Sequence, residues 1–410
     1  MRRLLVVNVF FAPRSYGGAT VVAETLARLV AASGEWAVSV LSFSDYGADP
    51  VPALFRTRLP GGIDHWTINA AGPRSRDRSF ESAEMTEAIA RVVAEARPDA
   101  AHVHCIPELG IGAVDALHAA GAPILLSTHD YWWLCERVFL MTGHGRHCGQ
   151  VEINPSVCAP CVENAGTLPW RRRRALETLG KAALLTYPSE EARLRHEANG
   201  VPPEKGVVLA NGVIPPGPDY PALRAARASK RLRFGYVGGP GAIKGWNHVE
   251  RAFAGLDPET AELVLADAAT NVGGSWWGSW PFGPLARHVR VVPGYDARSI
   301  DEFYAGLDAL LFISAWPETF GLTTREAALR GVHVVATDCG APVAPLTDGE
   351  TATILPFDAG ARELGRALRR LVAEGLPKPG PAALAKLGAI ATPEAQAAET
   401  LALLRRIAPG

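Results

Sequence analysis

Residues 3–43 read RLLVVNVFFAPRSYGGATVVAETLARLVAASGEWAVSVLSF. The run RLLVVNVF (3–10) is apolar in the way expected of a parallel strand that is buried on both faces. The stretch 16–34 predicts a helix that ends at Gly34, and AVSVLSF (37–43) predicts the next strand. A strand, a helix and a strand in this order predict a βαβ unit and therefore a parallel sheet.

The same alternation continues along the chain and then starts again after residue 231. It predicts an α/β fold with two Rossmann-like domains, each a doubly wound parallel sheet. The Pro- and Gly-rich stretch NGVIPPGPDYP (211–221) predicts a linker. The predicted parts are an N-terminal domain 1–212 with an insertion 131–166, a linker 213–230, a C-terminal domain 231–390, and a final helix within 391–410 that packs back toward the N-terminal domain.

Length, charge and cysteine usage narrow the class of protein. A chain of 410 residues is long for one core and favours two domains. The formal net charge of −1 argues against a basic surface for nucleic acid. The start MRRLLVVNVF imitates a secretory signal, but no small-residue cleavage site follows. Six cysteines in this length are too few for a disulfide scaffold, so we expect a cytoplasmic protein.

A second stretch, SAWPETFGLTTREAALRG (314–331), carries two glutamates with seven residues between them. Glu318 falls in a predicted loop, and Glu326 falls in the first turn of a helix predicted from about Thr323. A capping box between Thr323 and Glu326 would explain Glu326, but it leaves Glu318 unexplained. The N–H groups at a helix start bind anions, and a carboxylate on either side could accept sugar hydroxyls. The stretch therefore predicts a nucleotide-sugar site.

This stretch resembles the glutamate-x7-glutamate signature of retaining glycosyltransferases of family 4, which have the GT-B fold. APRSYGGATVVAETLARLV, STHDYW, LTYPSEEARLRHEANGV, VVLANGV and GYVGGPGAIKGW resemble other segments of that family in the same order. The resemblance implies that Glu326 holds the ribose and that Glu318 contacts the donor sugar. It implies that Lys244 neutralises the leaving phosphate and that His129 lies beside the donor sugar. It also implies that Gly17 and Gly18 let the backbone approach the substrates closely. The residues whose backbone would line the diphosphate are Phe320, Gly321, Leu322 and Thr323.

Each of these roles has a plainer alternative. Lys244 could be a surface lysine in a turn, and His129 could be a strand-end histidine that Asp130 orients. Gly17 and Gly18 could serve packing alone.

The sequence departs from the family at Gly239, where an arginine usually accompanies the lysine. No aspartate pair stands at a strand end for a divalent cation, so the resemblance implies a metal-independent, cofactor-free transferase with retention at the anomeric carbon.

A UDP-sugar is the favoured donor and a GDP-sugar the next. The hydroxyl acceptor (a glycan, a lipid-linked sugar or a small natural product) is not identified. The alternatives are a non-catalytic nucleotide-sugar-binding or interaction protein and a GT-B sugar-nucleotide epimerase.

Four cysteines with the spacing C-x12-C-x9-C-x2-C lie in the segment 131–166, which has no helical or strand periodicity. Cys135, Cys148, Cys158 and Cys161 together match a structural zinc site. A redox disulfide between Cys158 and Cys161, buried thiols and an iron–sulfur cluster are the alternatives.

Two further segments have open interpretations. RRRR (171–174) is either the solvated start of a helix or a site for an anionic lipid head group or a phosphorylated acceptor. The Trp-rich GSWWGSWPFG (274–283) is a sugar-stacking lip, a lid or a packing element.

Overall fold

The computed structural model describes residues 1–15, 17–45, 52–70, 76–227 and 229–409. Tyr16, at the start of the first predicted helix, Ala228 in the predicted linker and the C-terminal Gly410 lie outside this described part. The chain divides into two compact units. The first comprises 1–143, 149–212 and 393–410, and the second comprises 144–148 and 213–392.

The first unit is built on an eight-stranded sheet in the order β3-β4-β2-β1-β5-β6-β7-β8. Every neighbouring pair is parallel except β3 and β4, which are antiparallel. The central strands are short and buried on both faces, as their apolar sequences require. The strands are β1 Arg2–Val7, β2 Trp36–Ser44, β3 Ala53–Arg58, β4 Asp64–Asn69, β5 Ala100–Val103, β6 Ile124–Ser127, β7 Leu184–Tyr187 and β8 Gly206–Val208.

The longer helices of the first unit bury one apolar stripe each. In the first helix this stripe includes Val22, Leu26 and Val30, spaced four residues apart. The Ser82 side chain accepts the backbone N–H of Met85 and so caps the third helix. The helices are α1 Gly18–Ala32, α2 Arg76–Phe80, α3 Ala83–Ala96, α4 Gly112–Ala119, α5 Pro155–Cys158, α6 Leu168–Gly180 and α7 Glu190–Glu197.

The second unit contains a six-stranded sheet, parallel throughout, in the order β11-β10-β9-β12-β13-β14. The site loops described below follow two neighbouring central strands, β9 and β12. Its strands are β9 Leu232–Tyr236, β10 Ala261–Asp267, β11 Val289–Pro293, β12 Ala309–Phe312, β13 His333–Thr337 and β14 Ala352–Leu355. Its helices are α8 Tyr220–Ala225, α9 Trp246–Phe253, α10 Ile300–Ala305, α11 Leu322–Leu329, α12 Ala361–Glu374 and α13 Pro381–Gly388.

The last helix, α14 Pro393–Ile407, belongs to the first unit. Leu401 and Leu404 share an apolar cluster with Leu4 and Val30. Gln396 accepts the backbone N–H of Gly212 at 2.7 Å, which ties the helix to the end of the first long segment. None of the helices in the described ranges is both long and apolar enough to cross a lipid bilayer.

Three local features of the structure have no counterpart in the sequence pattern. The edge pair β3–β4 was not predicted, because β3 is mostly exposed and lacks an apolar run. The segment 213–230 contains α8, and the Tyr220 hydroxyl donates to the Arg330 carbonyl at 2.8 Å. The segment 131–166 contains α5 and two short 3-10 turns, so it is not without secondary structure.

Candidate functional site

Glu318 and Lys244 form an ion pair at the ends of two neighbouring strands of the second unit. Lys244 lies in the loop after β9, and its Nζ is 2.5 Å from Glu318 Oε1. Glu318 lies in the loop after β12, and the Ser314 hydroxyl donates to the same oxygen at 2.8 Å. Only 8% of the Glu318 side chain is exposed, against 32% for Lys244, so the ammonium is the solvent-facing partner. The structure therefore brings together two of the predicted catalytic residues.

The backbone around Glu318 is fixed by the strand beside it. The Glu318 N–H donates to the Cys339 carbonyl at 3.0 Å, and Glu318 forms a parallel bridge with Gly340. Three residues later, Gly321 has φ +75°, and a Cβ there would lie 2.7 Å from the Pro342 Cβ. Only glycine fits both this backbone conformation and this contact. The close approach holds the turn that leads into α11.

The start of α11 has no side-chain cap. Gly321 is the N-cap and Leu322 the first helical residue, and no side chain among the described residues caps the free N–H groups of the first turn. The Arg325 guanidinium lies 3.8 Å above the Phe320 ring and donates to the carbonyls of Phe320 and, at 2.9 Å, Ala341. The loop carbonyls thus have Arg325 as their partner. The N–H groups of Leu322, Thr323 and Thr324 can therefore bind an anion.

The alternative of a capping box between Thr323 and Glu326 does not occur. Because α11 begins at Leu322, Thr323 is already inside the helix and Glu326 lies in its second turn. Glu326 is bound instead by two phenols: Tyr295 and Tyr304 each donate to its Oε2 at 2.8 Å. Burial raises the pKa of Glu326, and hydrogen bonds from the two tyrosines oppose that rise. Glu326 is therefore a positioned carboxyl group rather than a helix cap.

Gly239 has a structural reason to lack a side chain. Its φ is +66°, and a Cβ there would lie 3.0 Å from the ring of Trp276. Trp276 belongs to the Trp-rich loop, which Asp267 anchors by accepting the Trp276 N–H at 3.0 Å and the Ser275 hydroxyl at 2.6 Å. The ring occupies the space that the expected arginine would need.

The Trp-rich loop is largely a packing element. Trp277 is 2% exposed and lies 4.6 Å, ring to ring, from Trp246 on α9. Trp280 contacts both of these rings. Trp276 is half-buried, and its ring lies against Gly239 in the loop that carries Lys244.

The predicted residues of the first unit lie at the ends of its strands and at its first helix. Gly17 has φ +82° and caps α1, whose first residue is Gly18, and both glycines are exposed. His129 follows β6, and its Nε2 lies 2.9 Å from Nδ1 of His104, which follows β5. Burial lowers the pKa of His129 to about 4, so the ring is neutral at pH 7.

The carboxyl group beside His129 has partners of its own. Asp130 accepts the Trp132 N–H at 2.8 Å, and burial raises the pKa of Asp130 to about 6. The neighbouring ring that contacts His129 is His104, which the sequence did not single out. The spacing His-x-His at the end of a strand was the only available signal, because its two residues point to the same face.

The zinc expectation is not supported. In the described part of the chain, no three side chains of His, Cys, Asp or Glu lie together as a metal site, and no cysteine is in a disulfide. Cys148 belongs to the second unit, whereas Cys135, Cys158 and Cys161 belong to the first. Cys158 ends α5 and Cys161 ends the next 3-10 turn, so both lie in short helical turns.

Three of the four arginines 171–174 are engaged within the protein, whereas the Arg173 side chain is 64% exposed. Arg171 is 6% exposed, and its guanidinium lies 3.9 Å from the centre of the Phe80 ring. Arg172 donates to the Ile153 carbonyl at 2.8 Å. Arg174 pairs with Glu81, Asp115 and Glu177. The run is therefore neither a free basic patch nor a wholly solvated helix start.

Two family models match the chain. Residues 16–215 match Glycosyltransferase Family 4, and residues 231–374 match Glycosyl transferases group 1. A comparison with curated protein sequences gives no match.

Solved structures resemble the chain over almost its whole length. Sucrose-phosphate synthase from Thermosynechococcus elongatus has a TM-score of 0.69 at 19% identity, with 99% of each chain covered. HepE from Anabaena, in complex with UDP and glucose, has a TM-score of 0.66 at 18% identity, covering 98% of this chain and 99% of that one. Starch synthase IV from Arabidopsis thaliana, bound to ADP and acarbose, has a TM-score of 0.61 at 14% identity, covering 100% and 99%. The likeness confirms the predicted fold, GT-B, with two Rossmann-like domains.

Proposed function

The chain is a glycosyltransferase that belongs to Glycosyltransferase Family 4 in its N-terminal half and to the group 1 family in its C-terminal part, and on that premise we propose a retaining transfer from a nucleotide-diphosphate sugar to a hydroxyl acceptor. We favour a UDP-sugar as donor, with GDP-sugars next. The observation that carries the proposal is the Lys244–Glu318 ion pair at the ends of two central strands. Glu318 lies on the stretch that leads into the uncapped start of α11.

The second unit supplies positive charge for a diphosphate. Lys244 is the solvent-facing partner of its ion pair, and the first N–H groups of α11 carry the positive end of the helix dipole. Together they would stabilise the charge that develops on the leaving diphosphate. We therefore propose that the active site needs no metal ion. In the loop after β9, the Trp276 ring takes the space in which the family has an arginine.

Glu318 is suited to positioning and not to nucleophilic attack. Its Oε1 already accepts hydrogen bonds from Lys244 and Ser314, and its side chain is 8% exposed. Retaining glycosidases instead use an accessible carboxylate that forms a covalent intermediate. We propose that the bond to the diphosphate loosens first and that the acceptor hydroxyl attacks from the same face, passing its proton to the leaving phosphate oxygen. The neutral His129 ring would contact a hydroxyl of the donor sugar.

Nucleotide binding tests the site before any acceptor is known. UDP, GDP, ADP and dTDP would be titrated calorimetrically into wild-type protein, since the structural relatives include complexes with UDP and with ADP. We expect one nucleotide to bind and Glu326→Gln to weaken it roughly tenfold, about 1.4 kcal/mol. The exposed Glu302→Gln on α10 is the control and should bind like wild type. If none of the four nucleotides binds, the proposal fails.

Turnover separates the transferase from its alternatives. Incubation with UDP-hexoses should release UDP slowly by hydrolysis, and NMR should show the freed sugar first with the anomeric configuration of the donor. EDTA should leave the rate unchanged. An inverted product or a requirement for Mg²⁺ would contradict the mechanism. Binding without any turnover would favour the silent binding protein, and interconversion of the donor sugar would favour the epimerase.

A further inference from the structure

Two tyrosines from separate elements meet the Glu326 carboxyl group at one of its two oxygens. Tyr295 follows β11, and Tyr304 lies on α10. Each hydroxyl donates to Glu326 Oε2 at 2.8 Å, and the two hydroxyl oxygens are 2.9 Å apart. Within the described residues, all hydrogen bonds of the Glu326 side chain end on Oε2. Glu326 is only partly buried, so Oε1 is the oxygen left for a ligand.

Packing holds both phenols in place. Tyr304 is fully buried, and its ring meets those of Tyr295 and Phe303 at 5.5 and 5.0 Å between centroids. Tyr295 stacks on Phe303 at 4.6 Å. The Arg330 guanidinium lies 5.6 Å from the Tyr304 ring and donates to Asp301 at 2.7 Å. This packing fixes the positions of both hydroxyl oxygens beside Glu326.

Both phenols are protonated, so each can donate to Glu326, and Tyr304 also lies 3.3 Å from the Thr323 carbonyl. Burial beside the Glu326 charge raises the pKa of both Tyr295 and Tyr304, so both phenols keep their protons. A phenol that donates to a carboxylate makes a short, charge-assisted hydrogen bond. Two such bonds to Oε2 hold the carboxylate in one orientation and leave Oε1 as its open oxygen.

We propose that Tyr295 and Tyr304 are positioning residues that hold Glu326 so that Oε1 alone reads the hydroxyls of the nucleotide's ribose. This inference rests on the proposed function, which places a ribose at Glu326. An oxygen with two lone pairs can accept both the 2′- and the 3′-hydroxyl, and its position then decides how strongly the site prefers a ribonucleotide over a deoxynucleotide. Removing one phenol frees Oε2 and lets the carboxyl group turn.

The test compares the ribonucleotide with its deoxy forms. UDP, 2′-deoxy-UDP and 3′-deoxy-UDP would be titrated into wild type, Tyr295→Phe, Tyr304→Phe and Glu326→Gln. If another nucleoside diphosphate binds wild type, its deoxy forms replace those of UDP. We expect each Tyr→Phe variant to lose roughly tenfold in affinity for UDP while binding of the deoxy forms changes little, so that the preference for ribose shrinks. A purely structural role would weaken all three nucleotides alike.

A matched control comes from the same packed cluster. The Tyr220 hydroxyl also makes a buried hydrogen bond, to the Arg330 carbonyl, but does not contact Glu326. Tyr220→Phe should leave the ratio of UDP to deoxy-UDP affinity at the wild-type value.

The outcomes separate this inference from the function on which it rests. If no nucleotide binds wild type, the proposed function fails. If UDP binds, Glu326→Gln weakens it, and both Tyr→Phe variants keep the wild-type ratio, then only the role of the tyrosines is overturned. If wild type binds UDP and both deoxy forms equally, Glu326 does not read the ribose and the inference is again overturned.

Discussion

At the scale of single residues, Lys244 is the side chain whose charge matters most to the proposed chemistry. Its ammonium pairs with the carboxylate of Glu318, whose side chain is 8% exposed, while the Lys244 side chain is 32% exposed. A hydrogen bond to a charged group contributes about 1.5–3 kcal/mol. The lysine therefore has a free side toward solvent and a fixed side toward Glu318.

We predict that Lys244→Met weakens UDP binding at least tenfold, about 1.4 kcal/mol, and leaves uridine binding unchanged, because uridine has no phosphates. The variant should also melt at a lower temperature, because Glu318 loses its partner in a buried place. Calorimetric titration with both ligands measures the first effect. The exposed Lys378→Met is the control. An equal loss for UDP and uridine would assign Lys244 a structural role only.

At the scale of the element, α11 depends on the glycine that precedes it. Gly321 has φ +75° and touches Pro342, whereas Gly331, just after the same helix, has φ +65° and no heavy atom within 4 Å of an added Cβ. Both glycines adopt a backbone conformation that costs an L-residue about 1–2 kcal/mol. Only Gly321 adds a steric clash to that cost.

We predict that Gly321→Ala lowers the free energy of unfolding of the second unit by roughly 2–5 kcal/mol, the sum of backbone strain and overpacking. Gly331→Ala should cost only about 1–2 kcal/mol, from the backbone strain alone. Urea titration followed by tryptophan fluorescence measures both. Equal losses in the two variants would show that the contact with Pro342 is relieved at no cost.

The edge strand β3 and the cysteine segment 131–166 show where the local sequence pattern predicts structure poorly. The strand β3 alternates poorly and is exposed, so its pairing with β4 carries no signal in a window of six residues. The cysteines are spaced like metal ligands, yet spacing does not fix where side chains point. Helical turns at Cys158 and Cys161 decide that, and such short turns have no periodicity of their own.

At the scale of the whole molecule, histidines in low-polarity surroundings link stability to pH. Burial lowers their pKa values, to about 4 for His65, His129, His196 and His333, to about 3 for His102, and well below the ordinary value for His104. The unfolded chain takes up these protons near pH 6.5. Between the two pKa values the unfolded state binds more protons, so stability rises with pH there and falls as the pH drops from about 6.5 to about 4. Asp130 opposes this trend, because its pKa is raised to about 6.

We predict that moving from pH 7 to pH 5 lowers the stability of the first unit by on the order of 1–2 kcal/mol for each buried histidine that it contains. His196→Gln removes one titrating group and should flatten the dependence. The exposed His118→Gln should leave the slope unchanged. Differential scanning calorimetry at several pH values gives the slopes. Identical slopes in all three proteins would refute the assignment to His196.

The sequence determined the alternation of strand and helix and the parallel sheets, and it marked the residues of the proposed second-unit site. These signals are local, because the period of apolar residues reports which face of one element is buried, and Lys244, Glu318 and Gly321 stand at the ends of such elements. Only the tertiary structure decided the partners. Tyr295 and Tyr304 lie 31 and 22 residues from Glu326 along the chain, and the Trp276 ring covers Gly239 from another loop. Contacts of that kind depend on how elements pack, which no periodicity within a single element records.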